Sequence, residues 1–351
     1  MCQMPTLDAR SFITALRGRF LEFVGDSVTL NMFQALVCML ASAEGALIHK
    51  LQSDGVIGAP CLRNASSCVV HLSDNAGTLS FARSNFLVAE EAGALELDHV
   101  DAVVAKAASR ADVLLLATGH HYRMIFGYVP NHPHPACTKL RNESRCVPLV
   151  SKYGEPQNAS DAVALGLRAV RKHLEARHFA GVLVWRTLSQ QHAAWHGPHG
   201  SVQGPRHACG GLLDGNNQLP WISHGPLIDY FGHVIEESAP VADAAADAWR
   251  GTTLKLQWLD ARAISAARYD AHPGKRGRSV EGKSQAMDCL HWCLPGVPDE
   301  FNRVLLRILQ QTSLGGSTAG FYDARQRLLR VVRERETWSF KRETWSAGRE
   351  T

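Results

Sequence analysis

Residues 111–116 read Ala-Asp-Val-Leu-Leu-Leu and run out at Thr118-Gly119-His120. An apolar run without alternation is buried on both faces, which marks a strand inside a parallel sheet covered by helices. Three other stretches share the pattern. Residues 20–24 end at Gly25-Asp26-Ser27, residues 182–185 end at Arg186-Thr187, and residues 253–259 are followed by polar residues. Helical spacing recurs between them: Phe12, Ala15 and Leu16 within 9–17, then Leu30, Phe33, Leu36, Val37 and Leu40. Further helices are predicted at 100–109, 240–249 and 299–311, and at 160–177, where Ser160 is the expected cap. Four strand-then-helix units predict an α/β fold, three-layer α/β/α, with a central mainly parallel sheet and long loops. Sites in such sheets collect at the carboxyl ends of the strands. Residues 52–86 read as loops and short strands, and 128–158 as a Pro-rich irregular segment.

The longest apolar candidate, 32–48, is broken by Gln34, Ser42 and Glu44. It reads as a core helix, short of the roughly 18–20 apolar residues of a membrane span. A chain with 45% hydrophobic and 20% charged residues is globular rather than disordered. Its formal net charge of +4 gives no reason to expect a nucleic-acid partner. The first ten residues lack the basic and apolar regions of a signal peptide. Nine cysteines and three N-glycosylation sequons, at Asn64, Asn142 and Asn158, nevertheless point to the secretory path. After Gly315-Gly316 the chain turns basic, and Arg-Glu-Thr-Trp-Ser occurs at 335–339 and again at 342–346. The expected division is a catalytic domain over 1–311 and a linker with a low-complexity tail over 312–351.

Phe23-Val24-Gly25-Asp26-Ser27 is the strongest chemical feature. A sharp strand-to-helix turn exposes a serine hydroxyl and places its N–H at the positive end of a helix. The plainer reading is a turn and helix cap. Asp288-Cys289-Leu290-His291 changes the balance, because one loop then supplies an imidazole base and a carboxylate to orient it. Gly-Asp-Ser after the first strand, with Asp-x-x-His near the domain end, is the order found in Gly-Asp-Ser-Leu esterases.

Five ordered blocks make the resemblance closer, and the chain resembles the plant trichome-birefringence-like family of polysaccharide O-acetyltransferases, with PC-esterase domains. Asp8 to Phe12, Leu16 to Arg19, Asn31 and Leu36-Val37-Cys38 surround the Gly-Asp-Ser block. Residues 112–120 supply the Thr-Gly-His block, and Trp185-Arg186-Thr187-Leu188-Ser189 with His192 and Cys209-Gly210-Gly211 the next. Ser265, Arg268 and Asp270-Ala271-His272-Pro273 precede the last, Asp288 to Pro298, which matches almost letter for letter. The resemblance implies an SGNH-like fold with Ser27, His291 and Asp288 as triad and an acetyl-Ser27 intermediate. The acetyl donor is a co-substrate such as acetyl-CoA, with no bound cofactor, and the acceptor is a wall polysaccharide. The Ser27 N–H and Gly119 are expected at the oxyanion, and Asn31, His120, Arg186, His192 and Arg268 near the substrate. Cys209–Cys289 is the expected disulfide, and the Golgi or secretory pathway the expected location.

Leu30 stands where the family has Arg, and Ala117-Thr118-Gly119-His120-His121-Tyr122 where it has Asn-Thr-Gly-His-Trp-Trp. The family's membrane anchor and cysteine-rich N-terminal segment do not precede the match, so the chain is expected to be a fragment. An esterase with the same triad and a non-catalytic glycan-binding relative are the alternatives. Arg186 and Arg268 are open to two roles, a ligand for an acyl donor or an acidic sugar, or else a buried ion pair or surface charge. A zinc site at His192, His196 and His199, with His120-His121 and His132 and His134 behind it, is the weaker chemical reading. Gly197, Pro198 and Gly200 disfavour the helix that such spacing needs.

Overall fold

The computed structural model describes residues 7–43, 48–53, 56–57, 65–122, 137–140, 143–146, 149–153, 156–189, 238–265, 271, 274–275, 287–288 and 291–313. The strands are β1 (Phe20–Gly25), β2 (Ile48–Ser53), β3 (Val56–Ile57), β4 (Ser67–Leu72), β5 (Thr78–Arg83), β6 (Val88–Glu91), β7 (Ala94–Val100) and β8 (Val113–Ala117). They continue as β9 (Cys137–Leu140), β10 (Glu143–Cys146), β11 (Leu149–Val150), β12 (Val182–Arg186), β13 (Lys255–Leu259), β14 (Gly274–Lys275) and β15 (Met287–Asp288). The helices are α1 (Ala9–Leu16), α2 (Ser27–Ser42), α3 (Ala102–Ala108), α4 (Ala159–Ala176), α5 (Ser238–Trp249), α6 (Ala261–Ser265) and α7 (Val297–Ser313). The chain divides between Gln310 and Gln311 into two units. All described residues except the last three of α7 belong to the first.

An eight-stranded sheet forms the centre, in the order β13-β12-β8-β1-β5-β4-β2-β3. The five strands from β13 to β5 are parallel, and β4, β2 and β3 continue it antiparallel. Alternate residues of each parallel strand enter different cores. Leu21, Phe23, Val113 and Leu115 face α1, α2 and α7. Val24, Leu114, Leu116, Leu183 and Trp185 face α3, α4 and α5. Two covered faces explain the unbroken apolar runs and make the architecture three-layered, as expected. β4, by contrast, buries every second residue.

Four local expectations are corrected. The helix predicted through 32–48 ends at Ser42, closed by extended Ala43, and Ile48 opens β2. Val100 belongs to β7, and Asp101 caps α3 by accepting the Val103 N–H. Asn158, not Ser160, caps α4: its backbone is extended and its Oδ1 accepts the Asp161 N–H at 2.9 Å. An Asn side chain in extended backbone reaches the orphan N–H two or three residues on, which Ser160 inside the helix cannot do. Residues 128–158 hold an antiparallel β9–β10 pair and β11, which joins β6 and β7 in a small second sheet. Cys38 is a free, exposed thiol on α2 and Cys68 is disulfide-bonded. The expected Cys209–Cys289 bridge lies outside the described residues.

Candidate active site

The carboxyl end of β1, flanked by β5 and β8, holds the Gly-Asp-Ser turn. Gly25 is required there by close approach: a Cβ would stand 2.4 Å from Thr29 Oγ1 and 2.6 Å from the Ala117 carbonyl. Asp26 caps α2, its Oδ1 accepting the N–H groups of Val28 at 3.0 Å and Thr29 at 3.1 Å. That leaves the N–H of Ser27, the first helical residue, outside the cap. Gly119 follows the neighbouring strand β8 with φ +135°, where a Cβ would strike Leu188.

His291 arrives from the far end of the sequence, and its Nε2 lies 2.7 Å from Ser27 Oγ. For Nε2 to accept the serine proton, Nδ1 must carry the ring's own proton, the tautomer that a carboxylate at Nδ1 selects. The two residues after His291 are also tied down. The Trp292 N–H donates to Asn31 Oδ1 at 2.8 Å, and the Cys293 N–H to the Ala271 carbonyl at 2.8 Å. Asn31 is one helical turn beyond Ser27, so a single face of α2 carries the hydroxyl and the clamp for the imidazole loop. Asn302 of α7 adds a bond from Nδ2 to the Met32 carbonyl at 3.0 Å. Asp288 sits on β15, paired through its backbone with Gly274 on β14. Its side chain lies outside the description, as do His192, Arg268, Cys209 and Cys289.

Beneath the serine turn lies a buried charge cluster. Arg186 Nη2 is 3.7 Å from Asp26 Oδ1 and donates to Thr29 Oγ1 at 3.1 Å. Both side chains are 1% exposed, so of the two roles open to Arg186 the structure shows the ion pair. Burial pushes the Asp26 carboxyl up, but His120, Arg186, His121 and the Thr29 N–H together hold it below its ordinary value. Burial pulls Arg186 down, with Asp26 acting against it. His120 is buried beside this cluster. His121 is lowered by burial, then by Arg83 and His291, against an upward pull from Asp26.

Sequence reasoning missed three features here. Phe86 packs edge-on to His121 and Tyr122, with ring centroids 5.7 and 5.1 Å apart. Tyr122 is fully buried and donates its hydroxyl to the Phe86 carbonyl at 3.0 Å. The aromatic at that position therefore packs the core and offers no ring face to a sugar. Asn85, one residue beyond Ser84, whose N–H bonds the Gly25 carbonyl, accepts the Thr118 hydroxyl at 2.6 Å and buries an Oδ1 with no partner among the described residues. Its only sequence signal was an amide after a strand. Among the described residues no three metal-ligating side chains gather. The residues of the histidine-rich stretch lie outside them.

The geometry can be set beside known proteins. Trichome birefringence-like 18 of Arabidopsis thaliana is 26% identical over 343 residues, covering 90% of this chain and 58% of the relative. Xylan O-acetyltransferase 3 of Oryza sativa subsp. japonica is 24% identical over 333 residues, covering 89% and 66%. Xyloglucan O-acetyltransferase 1 of Arabidopsis thaliana is 27% identical over 329 residues, covering 88% and 68%. The chain thus spans about three fifths to two thirds of the length of these relatives. Residues 4–308 match the model of the PC-Esterase family, described as a GDSL/SGNH-like acyl-esterase family found in Pmr5 and Cas1p. With a serine on the strand-to-helix turn, an imidazole at 2.7 Å and a family match over both, the chain belongs to the PC-Esterase family.

Proposed function

We propose that the chain moves an acetyl group to a polysaccharide hydroxyl through an acetyl-Ser27 intermediate, within residues 1–311 and without the 312–351 tail. The observation that carries this reading is the contact between Ser27 Oγ and His291 Nε2 at the carboxyl end of β1. The names of the xylan and xyloglucan O-acetyltransferases among its relatives support the choice of acetyl and of polysaccharide.

In this reading Ser27 Oγ attacks the acetyl carbonyl of a donor such as acetyl-CoA while His291 Nε2 takes its proton. The tetrahedral oxyanion is met by the Ser27 N–H and by Gly119, at the positive end of α2. Collapse breaks the bond to the donor's leaving group, which receives the proton from His291. A sugar hydroxyl then gives its proton to His291 and attacks the acetyl carbon, and the second collapse returns Ser27. Asp288 orients His291 through Nδ1. Arg186 and Asp26 hold the turn and touch no reacting atom. The family's description as acyl-esterases supports a second outcome, in which water takes the place of the sugar hydroxyl. Family resemblance supports the secretory pathway as the place of this work.

Mass spectrometry of the chain and its Ser27→Ala variant, given an acetyl donor with and without wall oligosaccharides, tests the reading. Ser27-dependent acetylated glycan supports transfer. Ser27-dependent donor hydrolysis with no glycan product replaces transfer by the esterase reading. No turnover from folded protein overturns both and leaves glycan binding.

A further inference from the structure

A cleft of about 630 Å³ lies between α4, the end of β7 and the residues after β11, and includes none of Ser27, Asn31, Arg186 or His291. Lys152, Tyr153, Leu165, Arg168, Lys172 and His173 line it. Tyr153 is 60% exposed, an unusual position for a large ring. Its ring is pinned by two ammonium groups, Lys172 Nζ at 4.9 Å and Lys152 Nζ at 5.1 Å from the centroid. Its hydroxyl accepts from Lys172 at 3.0 Å. Lys152, Arg168 and Lys172 have no carboxylate partner among the described residues. The one carboxylate lining the cleft, Asp98, accepts the Lys152 backbone N–H at 2.6 Å. The Lys172 hydrogen bond, aided by Lys152, draws the Tyr153 hydroxyl below its ordinary value, so the local potential favours an anion. His173 is lowered by burial, so the three fixed cations supply the charge at neutral pH. His173 also borders a second cleft, of about 830 Å³, which carries Arg177 and His178. Three cations without a carboxylate partner among the described residues share the cleft with an exposed ring, and with the second cleft beside it, which also holds Asp112, they fit an extended polyanion whose units have a flat C–H face and a carboxylate.

We propose that this cleft holds a carboxylate-bearing, uronate-type polysaccharide segment, apart from the Ser27 site. The choice of a sugar over another polyanion rests on the polysaccharide reading above; the charge and the ring do not. The test measures binding of an oligogalacturonate to the full chain carrying Ser27→Ala, at low and at physiological salt. Its carboxyl-reduced form and inorganic polyphosphate serve as comparisons. The expected result is binding that weakens with salt, by about tenfold in Arg168→Ala and Lys172→Ala and about fivefold in Tyr153→Ala. The carboxyl-reduced sugar binds at least about tenfold more weakly. Affinity that ignores all three cleft substitutions overturns the proposal. So does polyphosphate binding that matches the sugar and ignores Tyr153. The Ser27→Ala background makes these results independent of turnover. In chain with Ser27 intact, the cleft variants keep full acetyl transfer to a short neutral acceptor if the clefts act apart from the site, and loss of it overturns that separation.

Discussion

Two carboxylates sit four residues apart, one inside β1 and one just past its carboxyl end, and the chain treats them differently. Glu22, fully buried, takes a two-pronged contact from Arg110 at 2.9 and 2.8 Å and a hydroxyl from Ser80 at 3.1 Å. Asp26, 1% exposed, faces Arg186 only at 3.7 Å, spends Oδ1 on the helix cap, and leaves Oδ2 without a hydrogen bond among the described residues. A buried carboxylate with its lone pairs satisfied is a structural fixture. One left partly satisfied beside two histidines and a nucleophile carries a cost that stability does not explain. The strand thus carries a satisfied carboxylate within it and a partly satisfied one at its carboxyl end, where the proposed chemistry lies.

The sharpest way to break this contrast is to remove function at the carboxyl end. Ser27→Ala is expected to lower turnover by on the order of 10⁵–10⁶-fold while thermal unfolding stays unchanged, as steady-state kinetics and calorimetry would show. His291→Gln is expected to approach that loss. If either variant mainly unfolds the protein, the serine turn is a fixture after all. The converse is Glu22→Gln, which leaves Arg110 facing a neutral group; because Arg110 is 37% exposed and water screens its charge, the expected cost is about 1–2 kcal/mol in denaturant unfolding. Turnover per folded molecule should hold, and a loss there would tie the two carboxylates together. Asn31→Ala removes the acceptor for the Trp292 N–H and is expected to cost about 1–2 kcal/mol, with roughly a tenfold fall in turnover as the imidazole loop loosens.

The smallest effects are in pH. His121 is lowered in the folded chain, so between its folded value and the ordinary histidine value, about 6.5, the unfolded chain binds more protons. The stability this group contributes is complete above about pH 6.5 and shrinks as pH falls below it. His121→Gln is expected to flatten the fall in unfolding free energy as pH drops below about 6.5. Asp26 is also lowered, so its contribution is complete above the ordinary aspartate value, about 3.9, and is lost only below it. Unfolding titrations of His121→Gln and Asp26→Asn would place these losses in separate windows.

What could be read from the sequence follows from how local each signal is. The runs at 113–117 and 182–186 announced buried strands because composition and termination lie in one short window. Gly25 and Ser27 were legible because a tight turn leaves few choices of residue. The β2–β5 region was legible only as loops and short strands, since its weaker alternation leaves lengths and pairing open, and the β9–β10 pair hid in a Pro-rich segment. Arg186 read as a candidate ligand because nothing local shows that β12 aims it under the neighbouring turn. Asn31 entered only through family likeness, and its role as acceptor for Trp292 spans 261 positions. Phe86 gave no signal and Asn85 only that of an amide after a strand, since their place beside His121 and Thr118 comes from strand order.

Ser27 and His291 are 264 positions apart. All eight strands of the central sheet precede the imidazole in sequence, and α7, which follows it, completes one of the two cores. In the proposed mechanism, competence therefore depends on a closure between the two ends of the domain rather than on the sheet alone. A chain cut before residue 291 would keep Ser27 without its proposed base.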